Sequence, residues 1–176
     1  MPTVITFPDV VSSFNTALDE LLRPYFLNGG TFTLGGNPVV FPQAMLVYDA
    51  HVLETPSSLT IAFIGDDYSE DERYHCPTQP NGQKPAYEVW ASVSRTVYVA
   101  SPLKGGGTDQ NRLLIHKTWA ALLAAIECRH SEFAARGIVR PDLPSVPDDS
   151  RPRPTIIESS GIFRATLRYK MARHNS

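Results

Sequence analysis

The stretch "SPLKGGGTDQNRLLIHKTW", Ser101 to Trp119, places a lysine and three glycines directly before a helical pattern, where a phosphate could be cradled. A Walker-type loop needs its glycines first, then Gly-Lys and a Ser or Thr at the helix start. Backbone donors then wrap the phosphate and the lysine reaches its outer oxygens. Here Lys104 precedes Gly105, Gly106 and Gly107, and Asp109 stands where the anion would sit, competing for the same dipole and donors. The Gly-x-Gly-x-x-Gly pattern fails too, for want of a third glycine after Gly107. Lys104, Gly105, Gly106, Gly107 and Thr108 are therefore expected to form a mobile exposed loop, with Asp109 capping the helix.

Metal chemistry is the natural question for "GDDYSEDERYH". Asp66, Asp67, Glu70, Asp71, Glu72 and His75 are ligand types, but the alternating ligands, central glycine and terminal glutamate of an EF-hand loop do not occur. A solvated acidic loop, serving as a docking surface for a basic partner, is the expectation. His116 and His130 fall fourteen residues apart on one helical pattern, too far along its axis to share an ion. Neither cysteine and no serine stands in a nucleophile-elbow context, and Ser159 and Ser160 before Gly161 read as a turn. No catalytic residue, no metal ligand and no cofactor site is assigned.

The charges are more informative than any motif. The net charge is −2, but Met1 to Gln83 carries ten acidic and two basic side chains, whereas Lys84 to Ser176 carries eight acidic and fourteen basic. Such two-ended asymmetry marks an interaction surface. Arg151, Arg153, Arg164, Arg168 and Lys170 form the basic candidate, and Asp66, Asp67, Glu70, Asp71 and Glu72 the acidic one. A nucleic-acid backbone could be gripped by the basic set. That set lacks aromatic interleaving, and no helix-turn-helix pattern precedes it, so sequence-specific nucleic-acid binding is not expected. A protein contact, with the complementary surplus on the same molecule, is the sharper reading. Cys76 and Cys128 give no disulfide framework or zinc spacing, and neither a signal-peptide pattern nor a run of eighteen apolar residues occurs. A soluble protein with no membrane partner, made in the cytoplasm, is expected.

These residues must be positioned by elements that the periodicity predicts. "DVVSSFNTALDELLRPY", Asp9 to Tyr25, sets Val10, Phe14, Ala17, Leu18, Leu21 and Leu22 on one helical stripe, stopped near Pro24. The glycine-rich "LNGGTFTLGGNPVVFPQ" reads as a loop or short hairpin. "AMLVYDAHVLE" and "SLTIAFIG" are strand-like and are expected to pair as a hairpin, followed by the acidic loop at 66–86. "YEVWASVSRTVYVAS", Tyr87 to Ser101, alternates Val89, Ala91, Val93, Val97 and Val99 against polar residues. It is long enough to project beyond the sheet or carry a bulge.

Next, "DQNRLLIHKTWAALLAAIECRHSEFAARG" predicts one long core helix with Leu113, Leu114, Trp119, Leu122, Leu123, Ile126 and Phe133 in register, stopped by Gly137. Residues 138–155 carry five prolines and are expected as an extended surface connection. The closing "GIFRATLRYKMA" alternates Phe163, Ala165, Leu167, Tyr169 and Met171 against Arg164, Thr166, Arg168 and Lys170, a half-buried strand with a basic outer face. The sum is a single α+β domain: a mainly antiparallel sheet on a long central helix and an N-terminal amphipathic helix.

In that order of elements, from the N-terminal helix through "EVWASVSRTVYVAS" and "NRLLIHKTWAALLAAI" to "GIFRATLRYKMA", the chain resembles the tail terminator proteins of long-tailed bacteriophages. The resemblance is one of element order and texture over most of the chain, without an invariant short motif. It implies a structural virion protein without catalysis, a homohexameric ring at the head-proximal end of the tail. Such a ring ends tail-tube polymerisation and joins the tail to the head, so the implied partners are further copies, the tail tube protein and the head-tail connector protein. The loop at Lys104 to Thr108 would then lie at a ring surface or pore. Another connector, neck or minor tail protein is the near alternative. A small nucleotide- or nucleic-acid-binding protein or enzyme is the alternative of a different class.

Overall fold

In the computed structural model the described residues are 7–49, 56–75, 86–105, 107–142, 151–153 and 155–172. Helix α1, Phe7–Phe26, presents Phe14, Ala17, Leu18, Leu21, Leu22, Tyr25 and Phe26 to the core, the spacing expected of a stripe that winds once per 3.6 residues. The side chain of Val10 lies outside the described residues. Pro24 does not end the helix at once. It sits in the last turn, and Leu27 N–H still donates to Arg23 O at 2.9 Å.

Strands β1, Gly30–Leu34, and β2, Asn37–Phe41, form a hairpin through Gly35 and Gly36, both at positive φ, with Leu34 opposite Asn37. Phe32 and Phe41 meet Tyr25 at centroid distances of 5.0 and 4.8 Å, so the hairpin is packed on the end of α1. Gly29, just before it, has φ of 61°. A Cβ there would stand 2.8 Å from both Gln43 N and Phe41 O, so only glycine fits.

The main sheet has the order β3-β4-β5-β8-β6, with β7 also paired to β8. Strand β3 is Met45–Tyr48, β4 Thr60–His75, β5 Ala86–Pro102, β6 Ile138–Asp142, β7 Arg151–Pro152 and β8 Ile156–Ala172. All pairs are antiparallel except β3 with β4, which run parallel from Met45 beside Thr60 to Tyr48 beside Phe63. The hairpin expected of these two strands is therefore corrected: β3 ends at Tyr48 and β4 begins at Thr60 in the same direction, a pairing that no tight turn can make; residues 50–55 lie outside the described residues.

A larger correction concerns the acidic segment. Residues 66–75, expected as a loop, continue β4 and pair with β5 as far as His75 opposite Tyr87; residues 76–85 lie outside the described residues. Nor is the irregularity on β5, which pairs with β8 without interruption along its whole length. It is β4 that holds the extra residues, at register shifts between Ile64 and Asp67 and between Glu70 and Glu72. The first contains Gly65 at φ of 73°, as a bulge with a left-handed residue requires.

Helix α2, Gly107–Cys128, buries Ile115, Trp119, Leu122, Ala125 and Ile126 against the sheet. Leu113, expected in that stripe, is exposed on the other side of the helix. The single long helix breaks at Arg129, after which α3, His130–Ala135, carries buried Phe133 and ends at Gly137 with φ of 82°. Arg129 Nε donates to Tyr25 Oη at 2.6 Å while its guanidinium lies 5.3 Å from the Tyr25 ring centroid, which pins the break to α1. Pro141 stands in β6, at the edge of the sheet where a missing donor is tolerated; residues 143–150 lie outside the described residues.

The inner face of the sheet meets the helices through Ile61 and Phe63 of β4, Val93, Val97 and Val99 of β5, and Ile157, Phe163 and Ala165 of β8. Phe163 stacks on Phe14 of α1 at 5.8 Å. The result is an α+β domain with α2 as its central helix.

Candidate functional site

The acidic and basic residues singled out by charge are carried by two different strands of one sheet. Asp66, Asp67, Glu70, Asp71 and Glu72 belong to β4, whereas Arg164, Arg168 and Lys170 belong to β8, and β5 runs between them. Cross-strand register places these residues in rows. Asp67 is opposite Ser94, which is opposite Arg164; Glu72 is opposite Trp90, which is opposite Arg168; Tyr74 is opposite Glu88, which is opposite Lys170.

The sheet narrows along its length. Strand β3 accompanies only 60–63 of β4, and β6 accompanies only 164–167 of β8. From the row Glu72, Trp90, Arg168 to the row His75, Tyr87, Met171, the described residues comprise three strands alone. Ala86 lies about 24 Å along β5 from Val93, the last buried residue described on that side, at ~3.4 Å per residue. This tip has β4 as one edge and β8 as the other, each leaving a row of backbone N–H and C=O groups without a partner strand among the described residues. Within the tip, 72–75 of β4 carries Glu72 and Arg73, and 168–172 of β8 carries Arg168 and Lys170 and no acid; the other four carboxylates, Asp66, Asp67, Glu70 and Asp71, precede the tip on the same open edge of β4. The side chains of 66–91 and of Leu167, Arg168, Tyr169, Lys170 and Met171 lie outside the described residues, and their place is that of the backbone register.

The basic set is divided. Arg151 pairs in register with Glu158, and Arg153 forms an ion pair with the same Glu158 at 2.5 Å while its N–H donates to Ile156 O. Both stand at the opposite end of β8 from Arg168 and Lys170, so they join β7 to the sheet and do not extend the basic edge. Arg164 is exposed, but its backbone lies beside Asp142 of β6 and is not part of the open edge.

The glycine-rich connection is shorter than its sequence suggests. Gly107 and Thr108 already belong to α2, and Asp109 lies in its first turn with an exposed side chain, not at the cap. Leu103 N–H donates to Thr155 O at 3.0 Å and holds the connection to the start of β8. Lys104 and Gly105 are exposed, and Gly106 lies outside the described residues. Beside them, Lys104, Gln110, Asn111, Leu114 and Lys117 line an open cavity of about 340 Å³. Asn111 is committed inside the fold: its Oδ1 accepts from buried Ser101 Oγ at 2.6 Å, and its Nδ2 donates to Gly107 O at 2.8 Å.

A charged residue that belongs to no motif is the most deeply buried one described. Arg95 of β5 is 1% exposed, its Nη1 donates to Asp49 Oδ1 at 2.7 Å, and its guanidinium lies 5.9 Å from the Phe14 ring centroid. Asp49, at φ of 57°, also accepts from Asn15 Nδ2 at 2.6 Å, so one carboxylate ties α1, the end of β3 and β5 together. The signal was in the alternation: Arg95 falls between Val93 and Val97, on the inward side. Nearby, burial pushes the Tyr48 phenol up from its ordinary range, and its ring stacks on Phe63. These groups form a structural clamp between α1, the end of β3 and β5.

Among the described residues no three His, Cys, Asp or Glu side chains gather at metal-binding spacing, and no helix is long and apolar enough to cross a membrane. No protein-family model and no curated protein matches the chain.

Proposed function

We propose that this chain is a structural virion protein of a bacteriophage tail, a ring-forming terminator that ends tail-tube polymerisation and joins the tail to the head connector. The observation that carries the reading is the pair of open sheet edges, the acidic 64–75 of β4 on one side and the basic 168–172 of β8 on the other, with β5 between them. A ring needs two different, complementary surfaces on each copy. Two acidic edges repel one another, as do two basic ones, so the charges favour head-to-tail association over a twofold dimer. The resemblance in element order supplies the biological setting: the head-proximal end of the virion tail, with further copies, the tube protein and the connector as partners.

The reading is tested by adding purified protein to tail tubes and locating it by immunogold labelling. Binding confined to one tube end, with arrest of further tube growth, is the expected result. Absence of tube binding, together with thermal stabilisation of the protein by a nucleotide, would overturn the proposal in favour of a nucleotide-binding role.

A further inference from the structure

We infer that neighbouring copies of this chain join edge to edge at the tip, with 168–172 of β8 in one copy forming a parallel ladder with 72–75 of β4 in the next. The inference rests on the ring reading above and specifies its contact. Its direction follows from the sheet order: β4 is antiparallel to β5 and β5 is antiparallel to β8, so β4 and β8 run the same way. When identical three-stranded tips are repeated side by side, the junction between them is therefore parallel.

The register follows from the rows. Within one copy Glu72, Trp90 and Arg168 share a row, so an unstaggered repeat sets Arg168 of one copy beside Glu72 of the next, and Lys170 beside Tyr74. Opposite charges adjacent across strands stabilise a pairing, and like charges oppose it. The same ladder supplies partners for backbone groups that have none among the described residues of the tip. A slip in one direction would set Arg168 beside Arg73, which charge disfavours, and a slip in the other would set it beside Asp71, so the register rests on the unstaggered repeat and not on charge alone.

The test uses two full-length chains in a Cys76→Ser, Cys128→Ser background, one with Glu72→Cys and the other with Arg168→Cys. Mixed and mildly oxidised, they should give a disulfide-linked heterodimer, with little crosslinking in either chain alone and at least tenfold less when Tyr68→Cys replaces Glu72→Cys. Adjacent strands bring such positions within disulfide reach. Equal crosslinking of each chain with itself would overturn the junction. So would absence of crosslinks in a protein that light scattering shows to be a ring, and in that case the ring reading stands without this contact. A protein that neither crosslinks nor self-associates would sink both. As a check independent of cysteine, Arg168→Glu should weaken self-association about fivefold per junction, and adding Glu72→Arg should restore it.

Discussion

At the residue scale, the Arg95 to Asp49 pair shows how a charge can be kept inside a small core. A guanidinium is costly to bury, and here a carboxylate, a carbonyl and an aromatic face surround it. Asp49→Ala removes the carboxylate and places alanine at a left-handed φ, so it should lower stability by about 1–3 kcal/mol in a urea titration. Asp49→Asn, which tolerates that backbone and still accepts a hydrogen bond, should lose less. Equal stability of both variants and the parent would show that the clamp contributes nothing.

A second expectation concerns Glu132, whose own backbone N–H, Ser131 Oγ and Arg129 hold its carboxyl below the usual range. Its folded value being depressed, the contribution is present above the unfolded glutamate value of about 4.3 and is lost as pH falls through the folded one. An NMR titration should place Glu132 below ordinary glutamates, and Arg129→Met should bring it back up. No movement on that substitution would remove Arg129 as a cause. Arg95 was legible as an interruption of the valine stripe on β5, but Asp49 was not. Its partner lies forty-six residues away in sequence, and only the fold brings them together.

At the element scale, the amphipathic helix, the final strand and the long strand were legible because each repeats an apolar residue at the period of its geometry. Strand β4 beyond Ile64 was not. Asp66 to Glu72 lacks that alternation and reads as a solvated loop, yet β5 and the bulges at Gly65 and Asp71 let it continue as a strand. Its pairing is decided by a neighbour and not by its own propensity. The parallel partner of β4 was missed for a related reason: two adjacent strand patterns favour a hairpin, and nothing local announces a crossover. The break after α2 was hidden because Phe133 keeps the helical register beyond it.

The hairpin gives the sharpest test of element geometry. Gly29→Ala must move either its own backbone or the chain at Phe41 and Gln43, so it should cost more than ~2 kcal/mol and lower Tm by about 4–8 °C. Gly36→Ala, where a Cβ would meet nothing within 4 Å, should cost only the backbone penalty of about 1–2 kcal/mol. A Gly29→Ala protein as stable as the parent would contradict the close approach of these two segments.

At the scale of the molecule, a net charge of only −2 conceals an acidic edge and a basic edge on one sheet. The imbalance between the two halves of the sequence was visible from the start. That it becomes two sides of one tip was not, because the separation depends on β5 lying between β4 and β8. Charged edges of this kind steer encounter and register more than they add affinity, so molar salt should slow self-association by screening while the backbone ladder persists. Stopped-flow scattering across a salt series would check this, and a rate indifferent to salt would remove the edges from the encounter.

The measurement closest to the central claim is the mass of the wild-type protein in solution, by sedimentation velocity across a range of concentrations, with negative-stain images of the same samples. Closed rings of six copies of the 19.5 kDa chain are expected, displaced to higher protein concentration in Arg168→Glu and brought back when Glu72→Arg is added. A strict monomer at every concentration, or a twofold dimer indifferent to both substitutions, would contradict that claim.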